Sequence, residues 1–206
     1  MSKSQKPRHR HRFLATSVIV SSLILAGCAG DREEDPQDEF FQNLLGLCGQ
    51  AYKGALVSED EADAGTPWAT QEMVMYVEVC DAEEIRIPLH VGEDRSRTWI
   101  ITRSEGGLQL KHDHRHEDGT PDEVTWYGGE TVTEGTANRQ EFPADQYSKD
   151  LFVEQGLDVS VANTWAVEVE PDDMFAYELS RPGRFFRAEF YLGETVAPPP
   201  PAWGDE

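Results

Sequence analysis

The sequence predicts a mostly β protein. The expected architecture is an antiparallel β-barrel of about nine or ten short strands with one short helix, and a β-sandwich is the alternative. Three observations point there. Apolar residues alternate with polar ones in several separate runs: Met73, Met75, Val77 and Val79; Ile85, Ile87, Leu89 and Val91; Phe175, Tyr177 and Leu179. Tight-turn residues separate such runs, as in Glu105-Gly106-Gly107 and Arg181-Pro182-Gly183. No internal repeat, strand–helix–strand rhythm or Gly-rich phosphate loop is present. A closed barrel removes sheet edges, and one apolar face alternating with one charged face suits a solvated exterior.

Residues 1–27 read as a leader. Arg8, Arg10 and Arg12 form a basic head, and Phe13 to Ala26 form an apolar run. This run is too short for an ordinary spanning helix, which needs about 20 residues. Basic head, apolar run and small residues before a cut site make a secretory signal peptide. The ending Leu25-Ala26-Gly27-Cys28 resembles the lipobox of bacterial lipoproteins. The resemblance implies cleavage before Cys28, a diacylglyceryl thioether on its sulfur and acylation of the new amino end. Two or three acyl chains anchor firmly where one anchors marginally. It also implies a cell-envelope address, and Ala29 in place of Asp implies the outer membrane, facing the periplasm.

Residues 28–39 are polar and charged and contain Pro36, as expected of a flexible tether. Residues 40–193 carry the β-domain. Phe40 to Leu47 reads as a short helical lead-in to a strand through Tyr52 and Leu56. Ser58 to Thr66 is an acidic loop. In the strand of Ile85 to Val91, Glu84, Arg86, Pro88 and His90 face the other way, and Pro88 marks an edge or a bulge. Thr98 to Arg103 is a β-branched run, and Val124 to Tyr127 is a short strand stopped by Gly128-Gly129. Ala144 to Gln155 has helical spacing, with Gly156 as its cap. Val159, Val161, Trp165, Val167 and Val169 form one strand face. Phe186, Ala188, Phe190 and Leu192 form the last inward face. Residues 194–206 are a Pro-rich, polyproline-like tail, a spacer or frayed end.

The formal net charge is −21. The leader holds five basic residues and no acidic one, so removing it leaves 13 basic against 39 acidic residues, a balance of −26. Such a surface repels phosphate backbones, which excludes nucleic acid as a partner, and it does not attract anionic headgroups. Membrane attachment therefore rests on the lipid anchor, and no protein partner is indicated. Beyond Cys28 the chain has Cys48 and Cys80. In an oxidising compartment they pair by default. Their bond would close a loop of about 30 residues, worth roughly 3–4 kcal/mol.

Leu108 to Gly119 (LQLKHDHRHEDG) is the stretch with chemical potential. As a strand it places Leu108, Leu110, His112, His114 and His116 on one face and Lys111, Asp113 and Arg115 on the other. Three readings of the face remain open. The imidazoles are solvated where the strand leaves the sheet, or they line the mouth of a ligand cavity, or they bind a metal. Histidines two apart on a strand lie about 6.6 Å apart along the backbone and can chelate one divalent ion. His112, His114 and His116 would make a zinc-type set if the strand bends. No metal or other cofactor is required by the sequence. The cavity candidates are Leu108, Leu110, His112, His114, Trp165 and Phe186. Asp94-Arg95-Ser96-Arg97 reads as a solvated turn in which two Arg might otherwise hold a carboxylate. Trp99, Trp126 and Trp165 read as core or cavity wall. No serine lies in a nucleophile-elbow motif, so no catalytic residue is assigned.

The domain carrying the KHDHRHEDG run is similar to secreted proteins of Gram-negative bacteria that bring no assigned activity, and the strand pattern is lipocalin-like or calycin-like. The lipobox-like leader and the expected barrel together lead to the expectation of a lipid-anchored binding protein for a small apolar or amphipathic ligand. A metal-binding protein and a structural or assembly partner at the outer membrane are the alternatives.

Overall fold

The computed structural model describes Met1 and residues 35–205; the leader and Cys28 lie outside the described residues. The elements in order are α1 (Pro36–Leu45), β1 (Ala51–Leu56), α2 (Pro67–Thr70), β2 (Met73–Tyr76), β3 (Val79–Cys80) and β4 (Glu84–Val91). There follow β5 (Asp94–Ser104), β6 (Gly107–His114), β7 (Tyr127–Glu130), β8 (Arg139–Pro143), α3 (Gln146–Glu154), β9 (Thr164–Glu170), β10 (Met174–Arg181) and β11 (Arg184–Tyr191). Single 3-10 turns occupy Glu61–Asp63 and Asp158–Ala162.

All strand pairs are antiparallel, in the order β7-β6-β5-β4-β2-β1-β11-β10-β9-β8, with the two-residue β3 beside β4. The two ends of that order meet at one bridge, Gly129 to Ala144. The protein is thus a single antiparallel sheet nearly closed into a barrel, not a two-layer sandwich.

The inward faces follow the predicted alternation. Ile85, Ile87, Leu89, Ile101, Leu108, Leu110, Val167, Phe175 and Phe190 belong to one continuous buried cluster. Burying each such side chain contributes about 1.5–3 kcal/mol. Helix α1 covers one end of the barrel. The Asp35 side chain accepts from the Gln37 amide and Pro36 opens the helix, which together fix its start. Phe40, Phe41 and Leu44 are fully buried. The Arg103 guanidinium at the end of β5 lies 4.3 Å from the Phe41 ring centre, and the Asn43 amide donates to the Ala137 carbonyl before β8 (3.0 Å). The opposite end of the barrel stays open.

Helix α3 spans the seam between β7 and β8. Its N-cap Asp145 accepts from the Ser148 amide and pairs with Lys111 of β6. Ser148 Oγ accepts from the Gly128 amide (2.7 Å) and donates to the Gly128 carbonyl (2.9 Å). Phe152 packs against Tyr127 and Trp165.

Several expectations are corrected. Residues 36–39 belong to α1, because Asp35 caps the helix five residues before the apolar run begins at Phe40. Gly128 and Gly129 do not stop β7 but form it, since only glycine fits there. A Cβ on Gly128 would lie 1.8 Å from the Leu110 carbonyl oxygen, and one on Gly129 would lie 2.0 Å from that of Pro143. Strand β8 was not expected at all. Val159 and Val161 lie in a 3-10 turn, and the strand face begins at Trp165. Val79 and Trp126 are exposed. His90 points away from the interior, as its parity requires, yet it is buried at the bulge between Leu89 and Val91.

The Pro-rich tail is neither spacer nor frayed end. The Val196 amide donates to the Ala51 carbonyl and Arg95 Nη1 to the Pro201 carbonyl, both at 2.8 Å. The Trp203 amide reaches the Arg95 carbonyl at 3.1 Å, and Ala202 is buried. Cys48 and Cys80 stand at disulfide distance, with sulfurs 2.14 Å and Cα atoms 6.1 Å apart.

Candidate functional site

The site occupies the open end of the barrel, and strand register builds it in tiers. Read from deep to rim, the inward residues are Ile101, Trp99 and Arg97 on β5, and Leu110, His112 and His114 on β6. They are Phe175, Tyr177, Leu179 and Arg181 on β10, and Phe190, Ala188, Phe186 and Arg184 on β11. Pairing aligns the tiers: Trp99 with His112, Arg97 with His114, Leu179 with Phe186, and Arg181 with Arg184. A floor of Ile101, Leu110, Phe175 and Phe190 thus gives way to Trp99, His112, Tyr177 and Phe186 and then to guanidinium groups. The result is a cavity of about 270 Å³, in which these rings and guanidinia are joined by Asp63, Trp68 and Tyr127.

Trp99 stacks on Tyr177, with ring centres 4.4 Å apart and planes 17° apart. Trp68, on α2, meets Phe186 edge to face at 5.1 Å, and Arg97 lies 5.1 Å over the Trp68 ring. Arg184 holds the β1–β2 connection across the rim. Its two nitrogens meet both Asp63 oxygens at 2.7 and 2.6 Å, and it also pairs with Asp60 at 3.0 Å. These carboxylates, Asp63 first, raise the Arg184 pKa against the opposing effect of burial. Arg97 is paired with Asp94 and with Ser96 Oγ. Arg181 donates to the neutral Asn163 side chain at 2.9 Å, and no carboxylate among the described residues pairs with it.

His112 forms the inner wall. Its Nδ1 is 3.0 Å from the Tyr127 carbonyl, and its Nε2 is 2.7 Å from the Tyr177 hydroxyl. A carbonyl only accepts, so Nδ1 carries the proton and Nε2 accepts from Tyr177. Burial, reinforced by the neighbouring His114 and Lys111, lowers the His112 pKa to about 3. Burial and the Arg97 charge lower that of His114 to about 4. His114 Nε2 lies 3.1 Å from the Tyr127 hydroxyl. Burial raises both phenols, Tyr127 and Tyr177, above the usual tyrosine range. At neutral pH the imidazoles and phenols are therefore uncharged, and the guanidinia supply the site's positive charge.

Among the expected cavity residues, His112 and Phe186 line the space. Leu108, Leu110 and Trp165 are instead core beneath it, and His114 is tied to Tyr127 at its edge. The three histidines do not converge as a metal set. Both nitrogens of His112 are engaged, and β6 ends at His114. His116 is exposed beyond it, 3.6 Å from Glu123. The one ligand-spaced group among the described residues is His116 with Asp122 and Glu123, on the surface, where acidic groups commonly gather without an ion. Arg97 is a cavity residue on β5, not part of a solvated turn. Arg181, Arg184, Trp68 and Asp63 were missed.

No helix among the described residues is long and apolar enough to cross a membrane. Compared with known proteins, the chain matches no family model, no curated protein and no solved structure.

Proposed function

We propose that this chain is a lipid-anchored cell-envelope protein that binds a small apolar or amphipathic ligand in the open end of its barrel. The observation that carries the reading is the 270 Å³ cavity with an aromatic wall and a polar rim. Ligand sites combine an apolar lining with a few converging polar groups, and barrel mouths are a usual place for them. The volume equals roughly nine water molecules' share of liquid, so the ligand is a compact molecule and not a long acyl chain. The anchor rests on the lipobox-like Leu25-Ala26-Gly27-Cys28 and places the domain at the outer membrane, facing the periplasm. An oxidising compartment agrees with the Cys48–Cys80 pair.

Native mass spectrometry of the protein taken from its own envelope tests the binding reading. A small-molecule mass excess is expected in the wild type and absent from Leu179→Trp, whose larger side chain fills the cavity. The same excess in both proteins would refute it. A Cys28→Ala chain is expected to leave the membrane fraction; one that stays there defeats the anchor.

A further inference from the structure

The cavity wall is uncharged at neutral pH, but its rim is not. Three guanidinia face it in a chain of formal net charge −21. Asp63 is the one carboxylate in the lining, and it is spent on Arg184 in a two-oxygen pair. Arg97 has Asp94. Arg181 has a neutral amide partner. The lining therefore carries two more positive than negative charges, and Arg181 is the guanidinium whose compensation is missing. A partly buried cation without a counter-ion is costly, and a ligand that supplies one recovers that cost.

The rest of the wall selects what carries the charge. The Trp99–Tyr177 stack and the Trp68–Phe186 edge contact line the cavity with aromatic rings. The planar guanidinium fork matches a carboxylate through two parallel hydrogen bonds. Resting on the binding reading above, we propose that the ligand is a small planar aromatic carboxylate, anchored by Arg181 at the rim with its ring system against Trp99, Tyr177 and Phe186.

Three probes of matched shape test this: 2-naphthoate, 2-naphthalenemethanol and 2-naphthylmethylammonium. Each is titrated calorimetrically into the full chain in detergent and referenced to protein-free micelles. Naphthoate is expected to bind at least about tenfold more tightly than the other two, the scale of a charge-assisted hydrogen bond. Arg181→Gln is expected to level the three probes, and Arg181→Lys to keep the anion preference in reduced form. An alcohol that binds as well as naphthoate, or a preference that survives Arg181→Gln, overturns the anion assignment while leaving a binding cavity. No binding of any probe removes the cavity reading and this one with it. The wild-type comparison decides the matter even if Arg181→Gln does not fold.

Discussion

Burial, with His114 and Lys111 beside it, holds His112 in its neutral form, and two directional bonds, one donated to a backbone carbonyl and one accepted from a buried phenol, fix its tautomer. Unfolding restores its ordinary affinity for a proton, from a pKa of about 3 to the usual histidine value of about 6.5. Between those values the unfolded chain binds the extra proton, so stability falls as pH falls through 6.5 and is fully present above it. From pH 7 to pH 5 this one ring accounts for a loss of about 2 kcal/mol, and His114 adds to it in the same direction. Unfolded carboxylates titrate near pH 4, so most of this window belongs to the imidazoles. Urea melts at the two pH values should show the loss, and His112→Gln should remove His112's share; an unchanged pH dependence in that variant would count against the assignment. Strand parity made the His112 position legible, because the imidazole continues the face of Leu108 and Leu110. The same parity, carried two residues past Trp99, Leu179 and Phe186, reaches Arg97, Arg181 and Arg184. Arg97 and Arg181 were read as turn residues, and Arg184 was given no role. At a barrel mouth the inward face continues into charge.

The β7–β8 seam is where sheet geometry departs furthest from its sequence signals. Strand β7 is Tyr-Gly-Gly-Glu, a poor strand by propensity. It persists because its two glycines let three backbones approach more closely than any Cβ permits. Gly129→Ala should therefore cost about 2 kcal/mol or more, since the added methyl meets a carbonyl oxygen and not a movable side chain. Gly46→Ala, with an ordinary helical φ of −60° and a nearest contact of 3.2 Å, should change stability little. Equal melting shifts for the two would refute this account of the seam. Strand β8 (RQEFP) escaped the sequence for a related reason. Its inward positions are Gln140 and Phe142, so one of its two inward markers is polar. Gln140 is fully buried yet satisfied on its donor side, giving hydrogen bonds to the Glu134 and Thr136 carbonyls at 3.0 and 2.9 Å. The long strands β4, β10 and β11 were legible because β4 has four, and β10 and β11 have three each, aliphatic or aromatic residues at every second position, which no helix would pattern.

At the scale of the whole molecule, long-range ties hold the segment after α1 and the Pro-rich tail to the barrel. The Cys48–Cys80 pair spans 32 residues and joins the segment after α1 to β3 beside β4. Reducing it should cost about 3–4 kcal/mol, because the unfolded chain regains the entropy of an open loop. Melting with and without reductant measures this, and two reactive thiols in the denatured, unreduced protein would refute the bond. Composition alone could not reveal the second tie. Four consecutive prolines with few apolar neighbours read as a solvated tail, and polyproline has no internal hydrogen bonds to hold it. Here that property is what lets the tail dock: the Val196 and Trp203 amides and the Pro201 carbonyl are satisfied by Ala51 and Arg95, while Ala202 is covered. Three hydrogen bonds at about 1 kcal/mol each, with Ala202 covered beside them, tie the tail to the barrel. Truncation after Gly193 should therefore lower the melting temperature by a few degrees without unfolding the barrel. In the full chain the amides of Val196 and Trp203 should be protected from hydrogen exchange, since they donate to the Ala51 and Arg95 carbonyls. A truncated chain that melts with the full chain would show that the docked tail contributes no stability.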